Sequence, residues 1–342
     1  MKRGVKIGLT LVVIGVVMAL IGICFGGASS AITWDNGFKV MDQKTKKSKI
    51  SQKSYTFDNV KSINISTALL VRVVTGDVKQ ATVKVFTYHK LPEMNYQQSH
   101  LTITDKQTSS VSRGEVNIEF NITGFTWQRH SQRYQEEIVI TVPQSQNLSN
   151  LQINGQNSSD VSLSGIQADK ITLQHVADTK LKDMTVNHDL KLDDTEDTDL
   201  NNITASTATI KSNDGDVTIK NTHISDRTTI QLQDSDLNMH QNHMNVGEIN
   251  VSDGDINLLS NELSGELNIT AQDGDVAIAI GKSSVVAKTQ DGDISAFNQH
   301  EDDQSTYAYK GTTGKYIIST DDGDIRICLL YTSDAADDMQ CV

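Results

Sequence analysis

The turn at Ser212–Ile219, SNDGDVTI, returns along the chain as VSDGDINL, AQDGDVAI, TQDGDISA and TDDGDIRI. The apolar residue that follows each turn of this kind falls at Val161, Leu181, Leu200, Val217, Leu237, Ile256, Val276, Ile294 and Ile325, at intervals of 20, 19, 17, 20, 19, 20, 18 and 31. A recurrence near 19 residues marks stacked repeats, each of which buries its apolar side only against its neighbours. An ordinary antiparallel sandwich has no reason to place one turn at a fixed interval.

Inside each copy the register is tighter. Four positions before the first Asp stand Ile210, Ile230, Ile249, Ile269, Ala287 and Ile318, and three after it stand Val217, Leu237, Ile256, Val276, Ile294 and Ile325. Two further on are Ile219, Met239, Leu258, Ile278, Ala296 and Ile327, and a third apolar site falls at Ile224, Met244 and Leu263. Alternation with period two turns these side chains inward and the intervening Thr, Lys, Asn and Gln outward. The expectation is an all-β chain wound over residues 146–327 as a single-handed, β-helix-like solenoid, its coils of about 19 residues each holding two or three short strands. Residues 55–145 alternate without the period and are expected as antiparallel strands forming an N-terminal β cap, because a bare solenoid end exposes its apolar cross-section. The stretch FNQHEDDQSTYAYKGTTGKY in the long interval reads as a projecting loop. Residues 328–342 read as an irregular tail, either frayed or the product of a misassembled reading frame.

Ahead of these strands, Ile7 to Phe25 is a run of 19 residues without a charge. As a helix it rises roughly 28 Å, the thickness of a bilayer core. Lys2, Arg3 and Lys6 precede it and the first lysine beyond is Lys39, so residues 1–6 are expected as a cytoplasmic tip, 7–25 as a transmembrane helix and the remainder as extracellular. A signal cleaved near Ser29, Ser30 and Ala31 is the alternative. Residues 26–54 read as a solvated basic stalk: residues 1–54 carry nine Lys/Arg against two Asp/Glu, which leaves 21 against 41 for the body, a balance of −20. Such a body repels nucleic acid and favours cationic partners. The cysteines are Cys24, Cys328 and Cys341, so residues 55–327 are expected to fold on the size of their core without disulfides, and a zinc site of cysteine type is excluded there.

Candidate functional residues fall in two groups. The first is the turn ladder: Asp214, Gly215 and Asp216; Asp253, Gly254 and Asp255; Asp273, Gly274 and Asp275; Asp291, Gly292 and Asp293; Asp322, Gly323 and Asp324. The glycine is expected to take a positive φ and the aspartates to accept backbone N–H groups. Ser235 holds the glycine place in QDSDLNM. Stacked in chain order, Asp216, Asp236, Asp255, Asp275 and Asp293 form one column in which neighbours about 4.8 Å apart repel by roughly 0.9 kcal/mol in water. Either the edge is wet and screened, or cations line it. Calcium is the natural ion, yet neither the nine-residue glycine-rich repeat of calcium rolls nor the EF-hand loop is present, so no cofactor and no dedicated metal site is expected. Near-identical carboxylate pairs in most coils also argue against catalysis, which needs one distinctive pocket. There is no G-x-S-x-G, H-E-x-x-H or phosphate loop, and His188, His223, His240 and His243 read as surface residues. The second group is Phe125, Trp127, Arg129, Arg133 and Tyr134 in FNITGFTWQRHSQRYQEE. It is either a hairpin tip suited to a partner, or the place where Trp127 plugs the open end of the solenoid.

The chain carries SYTFDNVKSINISTALLVRVVTGDVKQATVKV, then LTITDK, then EEIVITVPQSQNLSNLQINGQNSSDVSLSG, with a "GD plus apolar" turn at Gly76-Asp77, Gly215-Asp216, Gly254-Asp255, Gly274-Asp275, Gly292-Asp293 and Gly323-Asp324. In these features residues 55–327 resemble the bacterial "putative adhesin" family of membrane-associated β-solenoids, which includes proteins of the LiaG type. The resemblance implies a cell-envelope protein with an N-terminal anchor, in some members associated with envelope-stress signalling, and it carries over no catalytic residues. Ser235-Asp236 and the glycine-free early turns such as LDDTEDTDL depart from the family's pattern. The expected function is a membrane-anchored extracytoplasmic binding or scaffold protein, engaging an envelope protein, a cationic peptide or wall polymer, with the oligomeric state open. A calcium-stiffened structural rod and a glycan-acting β-helix enzyme are the alternatives.

Overall fold

A computed structural model describes residues 50–105, 136–156, 159–297 and 305–329 throughout, together with the backbone of short strands at 31–34, 38–41, 119–121, 124–126 and 299–300. The expected transmembrane helix at 7–25 and all but the first two residues of the 328–342 tail lie outside the described residues. Among the described residues every regular element is a strand, and no helix is long and apolar enough to cross a membrane. The chain divides into two units. In the one formed by Met1–Ile50 with Ser110–Gln135, the described strands make two antiparallel hairpins, Ala31–Trp34 with Phe38–Met41 and Glu119–Asn121 with Gly124–Thr126. The other, Ser51–Ser109 with Glu136–Val342, is a stack of parallel layers.

A layer consists of three strand segments separated by corners. Val217–Lys220 pairs in parallel with Leu237–His240, His223 and Ile224 pair with His243 and Met244, and after a break in register Arg227–Leu232 pairs with Val246–Val251. The inward aliphatic columns follow from this: Ile230, Ile249, Ile269 and Ile318 are successive partners, as are Val217, Leu237, Ile256 and Val276. Ile230, Ile249 and Ile269 are at most 1% exposed, and each such side chain contributes on the order of 2 kcal/mol through burial. The early repeats correct the sequence reading. Val161 pairs with Thr179 and Leu163 with Leu181, so the column holds Thr179 and Thr198 where Leu181 and Leu200 were expected. Both threonines point inward, and a hydrophobic reading frame slipped by two residues there.

Layer order differs from chain order at both ends. Ser62–Ser66 lies between His100–Thr104 and Asn150–Asn154, and Leu70–Gly76 lies between Glu137–Pro143 and Val161–Ser164, all in parallel. The region expected as an antiparallel cap therefore supplies layers of the stack itself, while Ser51–Phe57, Ala81–Thr87 and Glu93–Gln97 run antiparallel to their neighbours. At the other end, Lys315–Asp322 and Ile325–Cys328 insert between the layer of residues 266–279 and that of residues 284–296. A terminal segment paired on both sides is held against fraying. The inserted segment explains the 31-residue interval, and the stretch expected to project instead pairs in part: Thr306–Tyr309 lies antiparallel on Ser284–Asp291. Cys328, at the end of the last strand, is disulfide-bonded.

Aromatic side chains cluster toward both ends of the stack. Tyr55, Phe57 and Tyr96 pack at one end, with Phe57 and Tyr96 5.2 Å apart, and Phe297, Tyr307 and Tyr309 at the other, with Phe297 and Tyr309 5.2 Å apart. Trp127, the plug expected from the sequence, lies outside the described residues.

Candidate functional site

The DGD corner is where the repeats converge chemically. Backbone carbonyls of nine aspartates, Asp160, Asp178, Asp197, Asp216, Asp236, Asp255, Asp275, Asp324 and Asp293 in stacking order, accept the amide that opens the strand of the adjacent layer, at 2.8–2.9 Å. Their carboxylates form a second ladder. The amide of Asp216 donates to Asp197 Oδ1 at 3.0 Å, Asp236 to Asp216 at 3.1 Å, Asp255 to Asp236 at 2.8 Å, and Asp275 to Asp255, Asp324 to Asp275 and Asp293 to Asp324 at 2.9 Å each. These bonds are charge-assisted and offset the repulsion along the column. The column expected from sequence is thus present with two corrections: Asp324 stands between Asp275 and Asp293, and the glycine-free turn LDDTEDTDL supplies a full rung through Asp197.

The first aspartates of the turns, Asp214, Asp253, Asp273, Asp291 and Asp322, remain exposed beside this ladder. Gly215, Gly254, Gly274 and Gly323 adopt φ values of 104°, 144°, 145° and 153°, as expected, whereas Gly292, in the outermost parallel layer, does not take the positive φ expected of it. A second cause of the glycine is steric: a Cβ at Gly254 would overlap the carbonyl of Ser235, and one at Gly274 that of Gly254. Ser235 is accommodated by a different bend, the left-handed residue moving to Asp234 at φ 51° while the buried Ser235 hydroxyl donates to Gln233 O at 2.9 Å.

The next corner of each layer was missed in the sequence. Gly165, Asp183, Asn202, Asn221, Gln241 and Ser260 occupy equivalent positions there with φ between 51° and 70°. Behind them sit buried polar side chains. Asn242 Oδ1 accepts the Thr222 amide at 2.9 Å while its Nδ2 donates to Ile219 O at 2.8 Å, and Asn261 Oδ1 accepts the Asn242 amide at 2.9 Å while its Nδ2 donates to Met239 O at 3.0 Å. The signal was available, since Asn202, Asn221, Asn242 and Asn261 recur at close to the repeat spacing.

Charge follows the corners. On the DGD edge burial and then Asp178 raise the Asp160 carboxyl above its ordinary range. Burial, then Asp214 and Asp178, raise Glu196; desolvation, then Asp234 and Asp273, raise Asp253. Elsewhere carboxyls are held below their range: Asp169 by hydrogen bonds from Asn147 and Asn187, Asp189 by Lys170 and Thr207, Asp193 by Lys191. Among the described residues no group of three or more His, Cys, Asp or Glu is placed to hold a metal ion. His223 and His243 stack at 4.7 Å with their rings only 21° from parallel, so their lone pairs run side by side and do not converge, and His243 Nδ1 lies 3.3 Å from Glu262. His188 and His240 add no ligand to that pair. A void inside the stack arises where Ala208, Thr228 and Gly247 replace the larger Leu190 and Leu267 of the flanking layers, and no carboxylate lines it. In the second candidate group, Phe125 lies on Gly124–Thr126; Trp127, Arg129, Arg133 and Tyr134 lie outside the described residues.

A family model described as Toastrack DUF4097 matches residues 60–328. No protein of curated function matches the chain. Among solved structures it is similar to a "putative adhesin" from Bacteroides fragilis, at 11% identity over 82% of this chain and 97% of that one with a TM-score of 0.41. It is similar also to a "putative adhesin" from Parabacteroides distasonis (10% identity, 81% and 97% covered, TM-score 0.43) and to a "putative lipid binding protein" from the same species (11% identity, 81% and 96% covered, TM-score 0.38). The family likeness read from the sequence is borne out.

Proposed function

Because the chain belongs to the Toastrack DUF4097 family, we propose that it is a binding or scaffold protein of the bacterial envelope whose acidic corner edge engages a cationic partner, such as a basic peptide or a positively charged segment of an envelope protein. The observation that carries this reading is the exposed row of first aspartates, Asp214, Asp253, Asp273, Asp322 and Asp291, held in line by the ladder beside it. A rigid row of like charges focuses attraction for a polycation and recruits it quickly. Single-pass anchoring through residues 7–25, with the body outside the cell, is part of the same proposal and is supported by the charge asymmetry around that run. So are an adhesin-like role and a link to envelope-stress sensing. The chemistry asked of the edge is binding without turnover.

The test measures binding of oligolysine and of a cationic antimicrobial peptide to the full-length protein across a salt series, beside a variant carrying Asn at those five first-aspartate positions. Weaker binding and a shallower salt dependence in the variant support the reading, and identical isotherms discard it. Desolvation, then the neighbouring carboxyls of Asp234 and Asp273, raise Asp253, and those close carboxyls also keep the calcium-stiffened rod as a second reading. Its sign is a melting midpoint that rises with calcium and falls with chelator.

A further inference from the structure

Five peptide bonds of the DGD edge join Asp to Gly. In such a pair the glycine nitrogen is unshielded and can attack Cγ of the preceding protonated carboxyl. The new N–Cγ bond forms as the Cγ–OH bond breaks, and the amide proton leaves with that hydroxyl as water. Water then opens the resulting succinimide at either carbonyl; opening at the α-carbonyl leaves isoaspartate, with the main chain routed through the former side chain. An amide whose proton is held by a carbonyl of the adjacent layer cannot turn toward Cγ without first breaking that bond.

The stack treats the five bonds unequally. The amides of Gly254, Gly274 and Gly323 donate to the carbonyls of Asp273, Asp322 and Asp291 at 3.1 Å each, and the Ser235 amide makes the same bond to Asp253 at 2.8 Å. Those of Gly215 and Gly292 make none. Each exception has a physical cause. Gly292 is exposed in the outermost parallel layer, so its outward side meets no further DGD corner. Gly215 faces the corner where the left-handed residue has moved to Asp234, at φ 51°, and no carbonyl there receives its proton.

We infer that Asp214 and Asp291 are sites of spontaneous isoaspartate formation, while Asp253, Asp273 and Asp322 are protected by the layers against them. At Asp291 the added backbone atom displaces Asp293, whose amide is held by the Asp324 carboxylate at 2.9 Å and whose carbonyl receives the Ile325 amide at 2.9 Å. Ageing thus loosens the acidic column from its outermost rung.

Full-length protein is aged in native buffer and, in parallel, in urea, and isoaspartate is quantified at each of the five bonds by peptide mapping. In native buffer the modification at Asp214 and Asp291 exceeds that at the other three by at least about tenfold, and in urea the five rates converge because the local sequences are alike. Amide exchange of the five glycines gives an independent reading, fast at Gly215 and Gly292 and slow at Gly254, Gly274 and Gly323. Equal native rates, no accumulation at Asp214 and Asp291, slow exchange at their glycines, or a ranking that survives in urea overturns the inference.

Discussion

The two corners of a layer solve one problem by opposite means. Both must satisfy a backbone amide where the chain leaves a strand, and both do so with a side-chain oxygen from the adjacent layer. At the DGD corner that oxygen is a carboxylate at the surface, as in the Asp275 amide on Asp255 Oδ1 at 2.9 Å. At the next corner it is an amide oxygen, as in the Thr222 amide on Asn242, a residue only 2% exposed. Charge is used where water screens it, and a neutral group where burial would make charge costly. Left-handed backbone divides in the same way: glycine where a Cβ would strike the layer beneath, Asn, Gln, Ser or Asp where it would not.

If that division is right, the largest effect belongs to backbone overlap at the first corner. Gly274→Ala places a Cβ on the Gly254 carbonyl at a φ of 145°. It should cost more than about 3 kcal/mol in urea unfolding. A loss under about 1 kcal/mol would show that the layers part easily. Next comes Asn242→Ala at the buried corner, which strands the Thr222 amide and the Ile219 carbonyl. About 2–4 kcal/mol should be lost, since each unsatisfied buried group costs about 1–3 kcal/mol. The surface counterpart, Asp255→Asn, retains an acceptor for the Asp275 amide and relieves like charge. It should move stability by less than about 0.5 kcal/mol, and a loss matching that of Asn242→Ala would break the distinction between the corners.

The same contrast explains what was legible in the sequence. The DGD corner could be read because glycine leaves a compositional mark and its flanking carboxylates repeat. Its companion could not, because Asp183, Asn202, Asn221, Gln241 and Ser260 share a conformation without sharing a residue type. Layer order was invisible for a different reason. Ile325 resembles Ile294 and Val276 equally, and a repeat that fits any slot does not announce that it has been inserted between two earlier ones. Thr179 and Thr198 were lost to the assumption that an inward position is apolar, although both are at most 2% exposed. The acidic edge was legible in its charge and in aspartates that accept backbone amides, but not in the order of its rungs, because Asp324 enters the column between Asp275 and Asp293.

Two smaller effects sharpen the comparison. Gln241→Gly relieves a left-handed residue whose φ is 55° and should add about 0.5–1 kcal/mol. The smallest effect is in pH. Asp160, Glu196 and Asp253 have folded-state pKa values above their ordinary values of 3.8, 4.5 and 3.8, so their ionised forms oppose folding, and acidification through the interval just above those values restores stability as they take up protons. Asp169, Asp189 and Asp193 are shifted the other way, so the stability they contribute is complete above 3.8 and is lost as pH falls through their lowered folded values. The melting midpoint should therefore rise modestly from neutral pH into the mildly acidic range before it falls. Asp253→Asn should flatten the rising limb and leave the falling one, because the two limbs belong to different carboxyls. A midpoint that declines steadily from neutral pH would mean that the ladder amides stabilise the charged edge more than its neighbours repel it.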